Sequence, residues 1–341
     1  MPEKAKEFLD TILPAGIAAE LVLADGNAEI EKGGGTRRFF RARFRGEPAV
    51  VCVYDDSKAE NALYAGIAGF LARVGVPAPK IFLHDAAARV LVMEDLGDVD
   101  LWTLRRGNDP AWRDAYRSAL AGAVRLHREG LAGLGETPIM RDGFDAAYYK
   151  WERDYFLTNA AKEAHRLCIT GMARVELEHE LAGLAARLLA LPPQLVHRDF
   201  QSQNVLWRDG RARFIDFQGM RVGTGWYDAA SLIFDPYVDF SDAERDALFD
   251  DYCSFVGVPE AERPEAKKTF FCAAAQRLMQ ACGAYFFLSM KMGKPRYRAF
   301  ALPALDRLKR VAEAAGTLPN LAMLATELRS RERRRAALGL A

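Results

Sequence analysis

The feature that most constrains this chain is a polar stretch set between apolar runs. His197-Arg198-Asp199-Phe200-Gln201-Ser202-Gln203-Asn204 follows Leu195-Val196 and precedes Val205-Leu206-Trp207. Twelve residues beyond Asn204, a further run, Arg213-Phe214-Ile215, ends on Asp216. The pattern predicts three short strands, over 195–197, 205–207 and 213–216, with the last two forming a hairpin. A carboxylate, an amide and a second carboxylate are thereby fixed beside that hairpin. Asp and Asn also cap ordinary turns. Both motifs at this separation argue instead for a site built on side-chain oxygens.

Around this stretch the pattern of the chain divides. Residues 1–24 read as helical, with Phe8, Leu9, Ile12 and Leu13 on one side. Strand-like runs follow over 39–45 and 49–53, with Gly46-Glu47 as the expected turn. A helix over 58–74 ends at Gly75 and Pro77, and two more strands are expected over 80–84 and 89–93. Helical spacing then takes over, across 111–129, 144–165 and 172–190, and again from about 241 onward. The fold class is α+β: a small mixed β/α lobe, residues 1–95, joined through Met93–Leu101 to a large, mainly helical lobe, residues 96–341.

Composition excludes several classes. The net charge of +1 gives no global field for nucleic acid or membrane. The basic run Arg329–Arg335 reads as a solvated helix face. Five cysteines, at 52, 168, 253, 272 and 282, include no C-x-x-C pair, which argues against structural zinc and for a reducing compartment. Cys52, Cys272 and Cys282 read as buried apolar residues. The longest uncharged stretch, Leu278–Met290, has 13 residues, whereas a membrane span takes about 20. The N-terminus, with Glu3, Glu7 and Asp10, does not read as a secretory signal. A cytoplasmic monomer is expected, with no nucleic-acid or membrane partner.

The spacing of Asp199 and Asn204 is that of the kinase catalytic loop, H-R-D followed by four residues and Asn, and Asp216 stands where the D-F-G aspartate would. The segments 197–204, Ile215-Asp216-Phe217-Gln218-Gly219 and Tyr227–Tyr237 resemble the aminoglycoside phosphotransferase and choline kinase superfamily, which shares the protein-kinase fold. Within it, the chain is most similar to the N-acetylmuramate/N-acetylglucosamine anomeric kinases. That resemblance implies ATP as co-substrate, Mg2+ as cofactor and an amino-sugar acceptor. It implies Asp199 as the group that takes or orients the hydroxyl proton, and Asn204 and Asp216 as metal ligands.

The nucleotide side would then comprise Gly33, Gly34, Gly35, Thr36, Arg37 and Arg38, together with the hinge residues Met93, Glu94 and Leu96. Glycines let backbone amides approach phosphate oxygens closely. The strand Val50–Tyr54 lacks the lysine that protein kinases place there; Arg37 or Arg38 is the candidate replacement, and Glu60 loses its expected partner. On the acceptor side stand Tyr148, Trp151, Glu152, Arg198, Gln203, Asp235 and Arg277, with Tyr237 and Gln276 as weaker candidates. His127, His197 and Asp228 read as braces of the catalytic loop. Aminoglycoside, choline or homoserine kinases and a nucleotide-binding pseudokinase are the rival readings. Retention of Asp199, Asn204 and Asp216 opposes the last.

Overall fold

The computed structural model describes residues 2–24, 29–30, 36–139 and 143–339. Its first part is a six-stranded antiparallel sheet. The helices α1 (Pro2–Ile12) and α2 (Ala15–Ala18) precede β1 (Leu21–Leu23), β2 (Glu29–Ile30), β3 (Arg38–Phe44) and β4 (Glu47–Val53). The helix α3 (Tyr64–Arg73) then crosses to β5 (Ile81–Asp85) and β6 (Val90–Glu94), in the spatial order β1-β3-β4-β6-β5, with β2 paired to β3. Two expectations are corrected here. The N-terminal helix does not reach residue 24: it stops before Pro14, and Leu21–Leu23 pairs with Ala42–Phe44. The β3–β4 turn lies one residue earlier than expected, because Arg45 and Gly46 both carry the positive φ that a two-residue hairpin turn demands, while Glu47 already pairs with Phe44.

The alternation of β3 and β4 gives the sheet two faces. Phe40, Ala42, Phe44, Ala49 and Val51 pack with Ala5, Leu9, Leu13 and Ile17. Phe39, Val50 and Cys52 face the other way, into a core that runs on through α3 into the helical part.

That part holds α4 (Leu101–Arg106), α5 (Trp112–Gly133), α6 (Ala146–Phe156) and α7 (Gly171–Leu189). Asp100 and Asp145 cap α4 and α6, accepting from the amides of Thr103 (2.7 Å) and Tyr148 (2.6 Å). The helix expected over 144–165 leaves α geometry at Leu157 and finishes as a π-helical turn, Leu157–Ala164. Next come β7 (Gln194–Val196), the hairpin β8 (Val205–Arg208) and β9 (Arg211–Phe214), and β10 (Arg221–Gly223), which pairs with β7. The third expected strand ends at Phe214 rather than 216, since Asp216 is left-handed, with φ 63°.

The chain closes with α8 (Gly225–Ile233), α9 (Asp242–Val256), α10 (Arg263–Met290), α11 (Ala301–Ala315) and α12 (Pro319–Ala337). The long α10 packs on α6, α8 and α11. Gly283 makes the α6 contact possible: a methyl group there would lie 2.8 Å from the Tyr155 ring and 3.1 Å from the Phe156 nitrogen. Cys52, Cys253, Cys272 and Cys282 are buried and Cys168 is exposed. The basic run lies on α12, where Arg331 meets Glu327 at 2.6 Å and Arg329 pairs with Asp306. No helix among the described residues is long and apolar enough to cross a membrane.

Candidate active site

The loop between β7 and β8 is fixed by two buried carboxylates. Asp228, on α8, is inaccessible to solvent. It accepts the backbone amides of His197 (2.7 Å) and Arg198 (2.9 Å), and its Oδ2 lies 3.0 Å from Nε2 of His127. Asp235 accepts the amide of Ser202 at 2.7 Å, its hydroxyl at 2.5 Å and the Tyr237 amide at 3.0 Å. This explains how Arg198 is held at φ 76°, a costly conformation for a residue with a side chain. His197 Nε2 donates to the Ile215 carbonyl at 3.0 Å, and the Ile215 amide to the Asn204 carbonyl at 3.0 Å, tying the two motifs together.

Asp199 projects from this loop and remains 28% exposed. Its Oδ2 takes a hydrogen bond from Arg198 at 3.1 Å, and Arg277 lies 3.8 Å from Oδ1. Arg277 is itself nearly buried and donates to Ser231 Oγ at 2.9 Å. Asn204 donates to the Asp199 carbonyl at 2.9 Å, which leaves its amide oxygen without a hydrogen bond among the described residues. Asp216 accepts from Arg37 and, at 3.0 Å, from Gln218, both on Oδ1. Burial raises the Asp216 pKa, but the Arg37 charge and the hydrogen bonds from Gln218 and Arg37, with a smaller contribution from His197, outweigh it and bring it down to about 2.

An amide oxygen on the loop and the second oxygen of a carboxylate at the end of the hairpin are therefore available. Hard oxygen donors of this kind suit Mg2+, which binds through one or two carboxylates together with substrate phosphates. Among the described residues no cluster of three or more His, Cys, Asp or Glu could hold a metal without such help. The donor set fits a metal that arrives with a nucleotide.

On the nucleotide side, Gly33, Gly34 and Gly35 lie outside the described residues. Thr36 donates to Asp55 at 2.9 Å. Arg37 and Arg38 part company. Arg37 crosses to Asp216, whereas Arg38 forks onto Glu29 at 2.8 and 2.9 Å and lies 3.7 Å over the Phe8 ring. Arg38 is thus corrected from phosphate candidate to outer-face residue, because the strand period turns it toward α1. In the hinge, the Glu94 amide donates to the Lys80 carbonyl at 2.8 Å and its carboxylate accepts the Lys80 amide at 3.2 Å. Met93 is buried. The Leu96 amide has no partner among the described residues. Asp95 caps the segment, accepting from Gly97 at 2.8 Å. Glu60 sits in the 3₁₀ turn Ala59–Leu63 with no ion pair among the described residues.

The acceptor candidates separate in the same way. Glu152 is fully buried, with one oxygen on the Tyr227 hydroxyl (2.8 Å) and the other on Gln276 (2.9 Å), so it is corrected to a core anchor. The Gln276 nitrogen is engaged with it, while the Gln276 oxygen is buried with no hydrogen-bond partner among the described residues, and Asp235 belongs to the loop brace rather than to the cleft. Tyr237 packs on Phe300, 4.4 Å between ring centroids. Trp151 is 48% exposed and stacked on Tyr155 at 5.4 Å. Tyr148 lies beneath Arg221, whose guanidinium is 4.4 Å from the ring centroid. Gln203 is half-buried between the catalytic-loop residues. Gln218 was visible inside the I-D-F-Q-G motif without an assigned role. No sequence signal pointed to Arg221.

A braced loop with two carboxylates and an amide facing an arginine from the sheet is the arrangement expected of phosphoryl transfer. The phosphotransferase enzyme family (APH) matches residues 28–266. The chain belongs to that family. It is 26% identical over 340 residues to the N-acetylmuramate/N-acetylglucosamine kinase of Neisseria meningitidis, covering 95% of each chain. To the enzyme of the same name from Caulobacter vibrioides it is 29% identical over 275 residues, 72% of each. Among solved structures it is similar to a choline/ethanolamine kinase family protein from Mesorhizobium loti, with a TM-score of 0.59 at 17% identity, over 97% of this chain and 100% of that one. The ADP-bound aminoglycoside phosphotransferase APH(2'')-Ib gives 0.52 at 15% identity, over 91% and 99%. The kinase-like fold expected from the motifs is the fold of this family.

Proposed function

We propose that this phosphotransferase moves the γ-phosphoryl group of ATP to the anomeric hydroxyl of N-acetylmuramate or N-acetylglucosamine, giving a sugar 1-phosphate for cell-wall recycling in the cytoplasm. The observation that carries the acceptor choice is the charge around Asp199. Arg198 and Arg277 flank it, and Arg221 covers Tyr148 on the same side. Such surroundings repel choline or a polycationic aminoglycoside and suit a neutral sugar or one bearing a carboxylate. Four relatives named N-acetylmuramate/N-acetylglucosamine kinase support the same choice.

In this reading Asp199 takes the proton of the attacking hydroxyl, and the braced loop fixes where it waits. An anomeric hydroxyl is more acidic than an ordinary alcohol, so orientation counts for more than basic strength. Asn204 and Asp216 would hold Mg2+, which supplies charge neutralisation at the phosphates. Tyr148 and Trp151 offer aromatic faces to the sugar, Gln203 an amide to its hydroxyls, and Arg277 a cation for a carboxylate. The hinge offers the Leu96 amide to adenine. The boundary between the nucleotide and acceptor lobes falls at residues 95 and 96.

Phosphorus NMR of the product, across a panel of amino sugars, choline and aminoglycosides, tests the proposal. A 1-phosphate of an N-acetylated amino sugar is expected. A 6-phosphate, or rapid turnover of choline with none of either sugar, overturns it.

A further inference from the structure

The ion pair between Arg37 and Asp216 joins the two walls of the cleft. Arg37 precedes β3 in the sheet, and Asp216 follows β9 in the helical part. The arginine side chain is only 16% exposed, and Asp216 is its one carboxylate partner among the described residues. The other polar groups close to Arg37, the Cys52 thiol and the Tyr64 hydroxyl, are weak acids held neutral by burial. Arg37 therefore depends on Asp216 for its counter-charge, and it sits where the strand β4 supplies no lysine.

Asp216 faces a conflict. A divalent cation on its carboxylate would stand beside the Arg37 guanidinium, and like charges at that spacing repel. Moving Arg37 away without a substitute would leave a desolvated cation unpaired, which is strongly unfavourable. A nucleotide brings a second anion, and phosphate oxygens are good partners for a guanidinium.

We propose that Arg37 and Asp216 form an exchangeable ion pair: Asp216 passes from Arg37 to the metal only when nucleotide phosphate arrives to take Arg37. Arg37 is then a positioning residue as well as the replacement for the missing lysine. It keeps free metal off Asp216 and makes the site load metal and nucleotide together. This rests on the kinase reading but not on the identity of the acceptor.

The test is made without acceptor. Mn2+ binding to the nucleotide-free protein is followed by electron paramagnetic resonance, and Mg-ADP binding by calorimetry. Arg37→Gln is expected to bind free Mn2+ more tightly than the parent by at least about fivefold, and Mg-ADP more weakly by a similar factor. The mirror variant is Asp216→Asn, which keeps the side-chain shape. Its release of Arg37 is expected to tighten binding of ADP in excess chelator by about fivefold. Opposite signs for metal and nucleotide in Arg37→Gln support the exchange. Unchanged or weaker Mn2+ binding in Arg37→Gln overturns it, as does unchanged or weaker metal-free ADP binding in Asp216→Asn. If Arg37→Gln does not fold, the Asp216→Asn measurement decides alone. Failure of the sugar assignment would appear only in the product assay.

Discussion

The loop and hairpin that carry Asp199, Asn204 and Asp216 and the helix α6 are built in opposite ways. Around the hairpin, the geometry is held through the backbone: Asp228 grips two consecutive amides, Asp235 grips the amide of Ser202, and Arg198 and Asp216 adopt left-handed geometry. On α6 the backbone is ordinary and only the rotation of the helix decides which side chains meet solvent. Trp151 stands out half-exposed while Glu152, its neighbour, has no surface at all. Backbone-held sites demand fixed residue spacing; helix-borne sites do not.

The sharpest test of the hairpin's side of this contrast is Asp199→Asn. Turnover is expected to fall by roughly 10²–10⁴-fold, the usual worth of general-base assistance, with nucleotide affinity nearly unchanged. Steady-state kinetics and calorimetry read the two quantities separately. Turnover of the variant close to that of the parent would remove Asp199 from the chemistry.

Asp228→Asn tests whether the brace matters as much as the base. Three groups converge on this buried carboxylate. Removing its charge is expected to cost about 3 kcal/mol of stability, as for other broken buried charge networks. Urea unfolding measures this. Parental stability in the variant would mean that the loop is held by something else.

This contrast also explains what could be read from sequence. The placement of Asp199 and Asn204 on one braced loop, and of Asp216 at the end of the hairpin, was legible because a loop of fixed geometry admits few spacings. His127 and Asp228 were legible as braces for the same reason. Arg38 was misread because a repeated Arg-Arg does not reveal which residue the strand turns inward; Phe39 and Phe40, one on each core, carried that information less openly. Glu152 was misread because a carboxylate beside an exposed tryptophan has the same sequence signature whether it faces solvent or Tyr227. The strand β1 was missed because Leu21-Val22-Leu23 continues a helical apolar pattern and becomes a strand only by pairing with Phe44. Arg221 and the π-helical turn after α6 had no local signal, since both are set by tertiary packing.

The far end of α6 supplies the next test. After the π-helical turn, His165 meets Glu332 of α12 at 3.0 Å, and Arg298 forks onto the same carboxylate at 2.7 Å on both oxygens. Burial raises the Glu332 pKa, but the hydrogen bonds from His165 and Arg298, and their charges, bring it down from 4.5 to about 2. A carboxyl lowered on folding adds stability that is complete above its unfolded value and is lost as pH falls through its folded one. Glu332→Gln is therefore expected to lose stability on the order of 3 kcal/mol at pH 7. The loss should shrink as pH falls from about 4.5 toward 2. Thermal unfolding across that range checks it; a difference independent of pH would show that the ion pairs do not hold α12.

The smallest effect is expected at Glu152, and it bears directly on how α6 is used. Burial is the main influence on its carboxyl and raises its pKa, opposed in part by hydrogen bonds from Gln276 and Tyr227. An acid raised on folding binds its proton more tightly in the folded state, so stability falls as pH climbs past the unfolded value of 4.5. Glu152→Gln removes that penalty but weakens the hydrogen bonds to the Tyr227 hydroxyl and the Gln276 amide. The two effects oppose each other, and the net change at pH 7 is expected to stay within about 1 kcal/mol. Relative to the parent, the variant should gain stability as pH rises through the range where the buried carboxyl ionises. The KM for the sugar should not move, because neither oxygen of Glu152 is open to a ligand. Unfolding curves at several pH values and a sugar titration measure both. A several-fold rise in the sugar KM with unchanged stability would show that α6 turns Glu152 toward the acceptor during turnover, and the contrast between a backbone-held hairpin and a rotation-fixed helix would then fail at its second half.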